Sequence, residues 1–376
     1  MTTQETFAAT QLQIDNAWYV AGLSPDFERE ALQQRVITQH PIVMWRDRAG
    51  EVVAFDDRCC HKRMPLSAGR FLEDGSLECA YHGLCFDSGG RCVRIPSQPD
   101  LPIPARARLR QYPVVEQQGV VWIWPGDPAL IGDVQPPPTP EIVDPAWEHV
   151  TGSFTVKANS VLMIENLLDT SHFYPLHAGN IGKSQDSNIP MRVDEGEIRG
   201  CRYVRVIREV DGAAQSADFA DLLGYELADS HSMQTLVGPG IVFAERTLWP
   251  AGRKGDESAA RKLRNLHMLT PIDVRTHIYR WVVNMPKGQM SGRYPDERAV
   301  DRAREVLKQT FAEDIWALEK QQEASEFPDR GFEEMFLRSD AAITRSRRIL
   351  QAMQQRGREA PGASGSHTTS ERKATA

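Results

Sequence analysis

Two short cysteine–histidine pairs constrain this chain more than any other feature. Cys59-Cys60-His61 is followed, after seventeen intervening residues, by Cys79-Ala80-Tyr81-His82, giving C-x-H and then C-x2-H. Each segment offers one thiolate and one imidazole, so a group held between them must accept both donor types from two loops. A two-iron two-sulfur cluster with two thiolates on one iron and two imidazoles on the other meets that demand. A structural zinc ion is the competing reading, although zinc pairs are more often C-x2-C or H-x3-H, clustered by ligand type. Glycines 69, 75, 83, 89 and 90 and prolines 65, 96 and 99 punctuate the same region, which therefore reads as elaborate loops. Around them, runs at 17–21, 36–45, 52–55, 114–116 and 120–124 read as short strands, the last two forming a hairpin about Gln117-Gln118-Gly119. Residues 15–125 are expected to be an all-β module built to carry the cluster.

A second metal site is suggested further on. Val161, Leu162, Ile164, Leu167 and Leu168 favour a buried helix over about 160–174, on which Asn166, Asp169 and His172 are neighbours at i, i+3 spacing. His177 comes five residues after His172, which a regular helix would turn ~140° away at ~100° per residue. Pro175 is expected to bend the chain there and bring His177 back. A long helix over 296–325 places Asp314 on the stripe Ala303, Leu307, Phe311, Asp314 and Leu318. Two histidines and one carboxylate form the face that holds non-haem Fe(II) with positions open to O2. An unpaired carboxylate on an apolar stripe is costly, and a metal ion removes the difficulty. Alternatively, Asp314 is a surface acid on a helix whose core face lies one residue over. Asp169 needs a partner of its own, and its spacing suits a carboxylate that orients His172.

Composition sets outer limits. With 376 residues the chain should hold two domains, and its net charge of -7 argues against nucleic acid as a partner. No run approaches the ~20 apolar residues of a membrane span, and residues 1–13 lack the plan of a signal peptide, so a cytoplasmic protein is expected. Six cysteines, mostly within one third of the chain, suit a metal site better than a disulfide framework. Cys60, Cys85 and Cys92 are expected to be small buried hydrophobes. The expected order is a tail at 1–14, the β module, a proline-rich connector at 126–145, a catalytic domain at 146–357 and a disordered tail at 358–376. In the catalytic domain, strand-like runs at 152–157, 203–210, 233–237, 241–248, 263–270 and 276–285 predict an α+β fold with an antiparallel sheet and flanking helices. The insertions at 212–229 and 251–262 read as pocket lids or, more plainly, as solvated loops. No G-x-G-x-x-G loop opens a helix, so a separate protein must take hydride from NAD(P)H.

The chain resembles the Rieske non-haem iron oxygenases in their catalytic (terminal oxygenase alpha) subunit. Cys59-Cys60-His61-Lys62-Arg63 and Cys79-Ala80-Tyr81-His82-Gly83 resemble the two cluster loops. Asn166-Leu-Leu-Asp169-Thr-Ser-His172, followed by His177, resembles the mononuclear iron motif, and Phe311-Ala-Glu-Asp314 the segment that gives the third ligand. Asn16-Ala-Trp-Tyr-Val20 and the length are similar to the vanillate and dicamba O-demethylase group. Leu84 stands where the family often has tryptophan and Cys60 where it often has proline. Met64 and Ala80 occupy the places of a disulfide found in respiratory Rieske proteins, which implies a low-potential, oxygenase-type cluster.

By that resemblance the catalytic domain is helix-grip-like, and Cys59, His61, Cys79 and His82 bind one Rieske 2Fe-2S cluster. His172, His177 and Asp314 bind one Fe(II), with Asn166 and His267 as candidate contacts to substrate or to the far side of the iron. A lone strand histidine such as His267 is also a common satisfied core residue. The resemblance further implies a homotrimer in which electrons pass from His82 of one subunit through Asp169 to His172 of the next. The implied partner is an NAD(P)H-dependent reductase with flavin and an iron-sulfur centre, or a reductase plus a ferredoxin. The expected reaction is monooxygenation of a small aromatic or heterocyclic compound, with O- or N-demethylation first and aromatic ring dihydroxylation second. A pure electron-transfer Rieske protein is the non-enzyme alternative, and it would have no use for a second iron site.

Overall fold

A computed structural model describes residues 11–177, 189–289, 296–328 and 330–359. The first part is built from three small antiparallel sheets. In one, β1 (Tyr19–Leu23) pairs with β10 (Val120–Ile123), which pairs in turn with β9 (Val114–Gln117). The hairpin between β9 and β10 turns on Gln118 and Gly119 at φ 50° and 79°, the double left-handed turn that matches strand twist. A second sheet is the meander β2 (Gln33–Ile37), β3 (His40–Arg46) and β4 (Val52–Asp56). The expected single strand at 36–45 is therefore two. It reverses at Thr38 and Gln39, with φ of 46° and 66°, and their N–H groups bond Pro271 and Ile272 carbonyls of the second domain at 2.7 Å. A tertiary anchor decides that turn, where no glycine announces it.

The third sheet is short: β5 (Arg70–Phe71), β6 (Leu77–Glu78), β7 (Cys85–Phe86) and β8 (Cys92–Arg94). With Leu84 of the adjoining loop, it packs Leu77 and Phe86 onto Val43, Trp45, Val53 and Phe55 from β3 and β4. The cluster loops leave from this base.

Residues 128–142 run as an irregular connector with two short 3-10 turns. It is tied back to the β9–β10 hairpin, since Gln117 Nε2 donates to the Pro136 carbonyl and the Thr139 N–H to Gln118 Oε1. Beyond it lies one seven-stranded antiparallel sheet. Its strands are β11 (Trp147–Val156), β12 (Met191–Ile198), β13 (Cys201–Ala214), β14 (Leu227–Val237), β15 (Ile241–Pro250), β16 (Arg261–Asp273) and β17 (Thr276–Pro286), in the order β11-β17-β16-β15-β14-β13-β12. Edge strand β12 was not expected. Its Arg192, Asp194, Glu195 and Glu197 break the apolar alternation, as charges on sheet edges commonly do.

Two helices, α1 (Ser160–Leu168) and α4 (Asp296–Ser325), pack together over the sheet, and α5 (Ala341–Glu359) closes its β13 end. Asn159 caps α1 by accepting from the Val161 N–H, while its own N–H donates to Gln322 of α4 at 2.9 Å. The expected N-terminal tail enters this structure early. Leu12 and Ile14 are buried in one apolar cluster with Tyr19, Val150, Trp281 and Phe311, so the two domains share a core. The expected tail at 358–376 lies, from 360 onward, outside the described residues.

Candidate active site

The two cluster loops have the same backbone. In each, the cysteine N–H bonds the carbonyl five residues on, Cys59 to Met64 at 2.9 Å and Cys79 to Leu84 at 2.8 Å. The cysteine carbonyl accepts the N–H four residues on, from Arg63 at 2.9 Å and Gly83 at 3.0 Å. That fourth residue is left-handed in both, at φ 59° for Arg63 and 69° for Gly83. A common turn thus presents histidine from the second position of one loop and the third of the other. Both thiols are buried, while His61 and His82 are exposed with their Nδ1 atoms 3.1 Å apart. Burial pushes the Cys59 thiol up to about 12, with Cys79 beside it, and iron in place of the proton relieves that cost. Two buried thiols and two surface imidazoles on paired loops fit a Rieske cluster.

The remaining cysteines divide. Cys85 and Cys92 are buried, as expected of small hydrophobes, and the Cys85 sulfur accepts from Arg94 Nε at 3.2 Å. Cys60 is exposed, contrary to that expectation. The turn that buries the Cys59 thiol leads the chain outward at the next residue.

The second site is assembled from three elements. Helix α1 does not continue to 174 but ends at Leu168, with Asp169 extended at φ -106°, ψ 114°. The Asp169 carboxylate accepts the Ser171 N–H at 2.9 Å and its hydroxyl at 2.5 Å, the local bond by which aspartate stops a helix. A second helix, α2 (Phe173–His177), starts after this turn. Pro175 is therefore not the bend; it lies in the first turn of α2, where a missing N–H costs nothing. The break at 169–172, not the proline, brings His172 and His177 together.

Asp314 meets them from α4. Its Oδ1 lies 3.3 Å from His172 Nε2, 3.1 Å from His177 Nε2 and 3.0 Å from Asn166 Nδ2. One ligand atom from each of His172, His177 and Asp314 falls within 4.8 Å of the others, and separations near 3 Å are those of adjacent ligands with metal bonds of about 2.1 Å. Asp314 is buried on the α4 stripe with Ala303, Phe311 and Leu318. Burial alone would raise its pKa, but the two histidines hold it at about 2. The donor set fits non-haem iron.

A residue that the sequence reading missed completes the shell. Glu313 Oε2 bonds His177 Nδ1 at 2.7 Å, so the ring is held at both nitrogens. Burial disfavours charge on His177, yet Asp314 and Glu313 outweigh it and raise its pKa, a measure of how strongly the site draws a cation. Glu313→Gln is expected to weaken iron retention by about 10- to 100-fold. Iron content after dialysis, at unchanged cluster absorption, measures this.

Asp169 stands differently from expectation. Among the described residues it has no hydrogen bond to His172; it bonds Ser171 and faces Arg208 Nη2 at 3.6 Å. The extended conformation at 169 removes the helical spacing on which an orienting contact depended.

A cavity of about 200 Å3 opens beside the three ligands, walled by Phe173, Leu307, Phe311, Val283 and Met285. His267 and Asn166 both line it. His267 is also a satisfied core histidine, its Nδ1 2.8 Å from the Tyr279 hydroxyl, and burial lowers its pKa to about 4, so it is neutral. The insertion at 212–229 is not a solvated loop throughout. It contains α3 (Ala217–Leu223), from which Phe219 and Leu223 reach the cavity.

Comparison with known proteins agrees with this geometry. The sequence model of the Vanillate O-demethylase oxygenase C-terminal domain matches residues 156–356, and that of the Rieske [2Fe-2S] domain matches 17–113. A vanillate O-demethylase oxygenase subunit from a Pseudomonas species is 31% identical over 85% of this chain and 95% of its own length. A toluene-4-sulfonate monooxygenase iron-sulfur subunit from Comamonas testosteroni is 29% identical over 90% and 96%. Among solved structures, dicamba monooxygenase bound to 3,6-dichlorosalicylic acid superposes with a TM-score of 0.83 at 28% identity, covering 93% of this chain and 100% of that one.

Proposed function

Since the chain belongs to the Rieske non-haem iron oxygenases that carry the vanillate O-demethylase oxygenase C-terminal domain, we propose that it demethylates a small aromatic compound at oxygen or nitrogen. The observation that carries this reading is the His172–His177–Asp314 cluster in the wall of a largely apolar, aromatic-sized cavity. Cys59, His61, Cys79 and His82 would hold the 2Fe-2S cluster, and His172, His177 and Asp314 the ferrous ion. When bound, these groups supply single electrons and O2 activation.

The protein's own part is placement and exclusion. Phe173, Phe311, Val283 and Met285 give a planar ring an apolar slot that keeps bulk water from the ligand face. Neutral His267 and Asn166 offer hydrogen bonds at its edge. A methyl group on oxygen or nitrogen that gains one oxygen atom from O2 becomes a hemiacetal or hemiaminal, the other oxygen atom leaving as water with two electrons and two protons. The carbon–heteroatom bond then breaks to give formaldehyde. The electrons come from an NAD(P)H-dependent reductase, directly or through a ferredoxin, and the exposed His61 and His82 suit transfer across a surface. We place the protein in the cytoplasm with that donor, as a homotrimer.

Holoprotein is expected to contain about three irons and two sulfides per chain. With a Rieske-system reductase and NADH, it should release formaldehyde and demethylated product in equal amounts from some member of a methoxy- and N-methylarene panel, and none with NADH alone. Two irons per chain, or a diol without formaldehyde, overturns the reading.

A further inference from the structure

Opposite the iron ligands, the cavity floor is one face of the sheet. Register places Arg208 of β13 beside Ser232 of β14, and Gln234 of β14 beside Ala244 of β15 and, one strand on, Asn265 of β16. All five line the cavity. Arg208 is the unusual member. It is 4% exposed, and among the described residues its Nε has no partner and its one counter-charge is Asp169 at 3.6 Å. Gln234 Oε1 and Asn265 Oδ1 on the same floor are also without partners among the described residues. With Nε unpartnered and the Asp169 carboxylate at 3.6 Å from Nη2, beyond hydrogen-bond range, the guanidinium is incompletely satisfied. Burial pulls its pKa below the ordinary guanidinium value, against the pull of Asp169, but arginine remains a cation at neutral pH.

We propose that Arg208 is a specificity-determining residue that takes an acidic substituent, a carboxylate or sulfonate, on the aromatic substrate. This deepens the demethylase reading and rests on it for the ring and the methyl group. A planar acid matches the guanidinium fork and supplies the acceptors that Arg208 lacks. The ring then lies along the apolar walls toward His172 and His177, and the Gln234 and Asn265 amides are left for a further polar substituent. The acid arrives at the residue that faces Asp169, so substrate charge is felt at the carboxylate next to the iron motif.

Binding tests this without turnover. Oxidised holoprotein is titrated calorimetrically with benzoate, benzenesulfonate and neutral benzamide. Wild type should bind the anions about 10- to 100-fold more tightly than the amide, the range expected of a charge-assisted hydrogen bond. Arg208→Met should bring that ratio close to one, and Arg208→Lys should keep part of it. If wild type shows no anion preference, or if Arg208→Met keeps it, the proposal fails. A misfolded Arg208→Met leaves the decision with wild type and Arg208→Lys, where an undiminished ratio in the lysine variant also counts against it. Formaldehyde from neutral methoxyarenes without any preference for acids would sink Arg208 and spare the demethylase reading. Arg208-dependent benzoate binding without formaldehyde from any probe would do the reverse.

Discussion

Asp314→Ala is expected to keep the visible spectrum of the cluster and to lose the mononuclear iron together with all measurable turnover. The carboxylate accepts from Asn166 and touches both histidines, and it is the one charged member of the triad. Removing it leaves His172 and His177 as two neutral donors in a partly apolar cavity. A group that merely orients a ligand is worth about 10- to 100-fold in metal affinity, so loss of the anionic ligand should exceed about 100-fold. The helix should survive, because alanine is a strong helix former and Phe311 and Leu318 still bury their stripe. Metal analysis should fall from about three irons per chain to about two, with sulfide unchanged. His172→Ala and His177→Ala should behave alike, and full activity in any of the three removes that residue from the site.

The stripe on α4 was legible because a helix period carries burial information: Asp314 recurs with Ala303, Phe311 and Leu318, and all four are buried. The cluster loops were legible for a different reason, since four soft and imidazole donors on two loops have few other uses. What failed was local geometry set by side chains. Nothing in the apolar run of α1 says that Asp169 will turn on Ser171 and stop the helix, and Pro175 offered a more familiar cause. Thr38 and Gln39 adopt left-handed conformations because carbonyls 233 residues away hold them, a reason that short-range signals do not contain.

Glu313 and Arg208 were missed for opposite causes. Glu313 adjoins Asp314 on α4, about 100° round the helix, and only the position of α2 brings His177 Nδ1 within its reach. Arg208 had a signal that went unread. Strand parity puts it on the face of Val204 and Val206, both fully buried, so an inward-pointing arginine could have been inferred once that face was taken as the core.

Asp169→Asn is the second change expected to have a large effect, and it separates electron transfer from metal binding. We propose that the Asp169 carboxylate, although among the described residues it makes no hydrogen bond to His172, stands on the electron path from His82 of a neighbouring subunit to His172; the exposed His82 ring and the 16% exposure of the Asp169 side chain suit contact across a boundary. Within the chain the carboxylate is already oriented by Ser171 and by Arg208, so an asparagine keeps the turn and loses the charge. The variant should fold, carry the cluster and hold iron at least in part. Its reduced form, mixed with O2 and saturating substrate, should reoxidise the cluster more than about 100-fold more slowly than wild type, beyond the range of a carboxylate that only orients a ligand. Saturating substrate matters, because neutralising Asp169 also changes the charge that Arg208 faces. If the carboxylate does no more than stop α1 and balance Arg208, substrate affinity and thermal stability would shift while the reoxidation rate held, and an unchanged rate would eliminate the bridge.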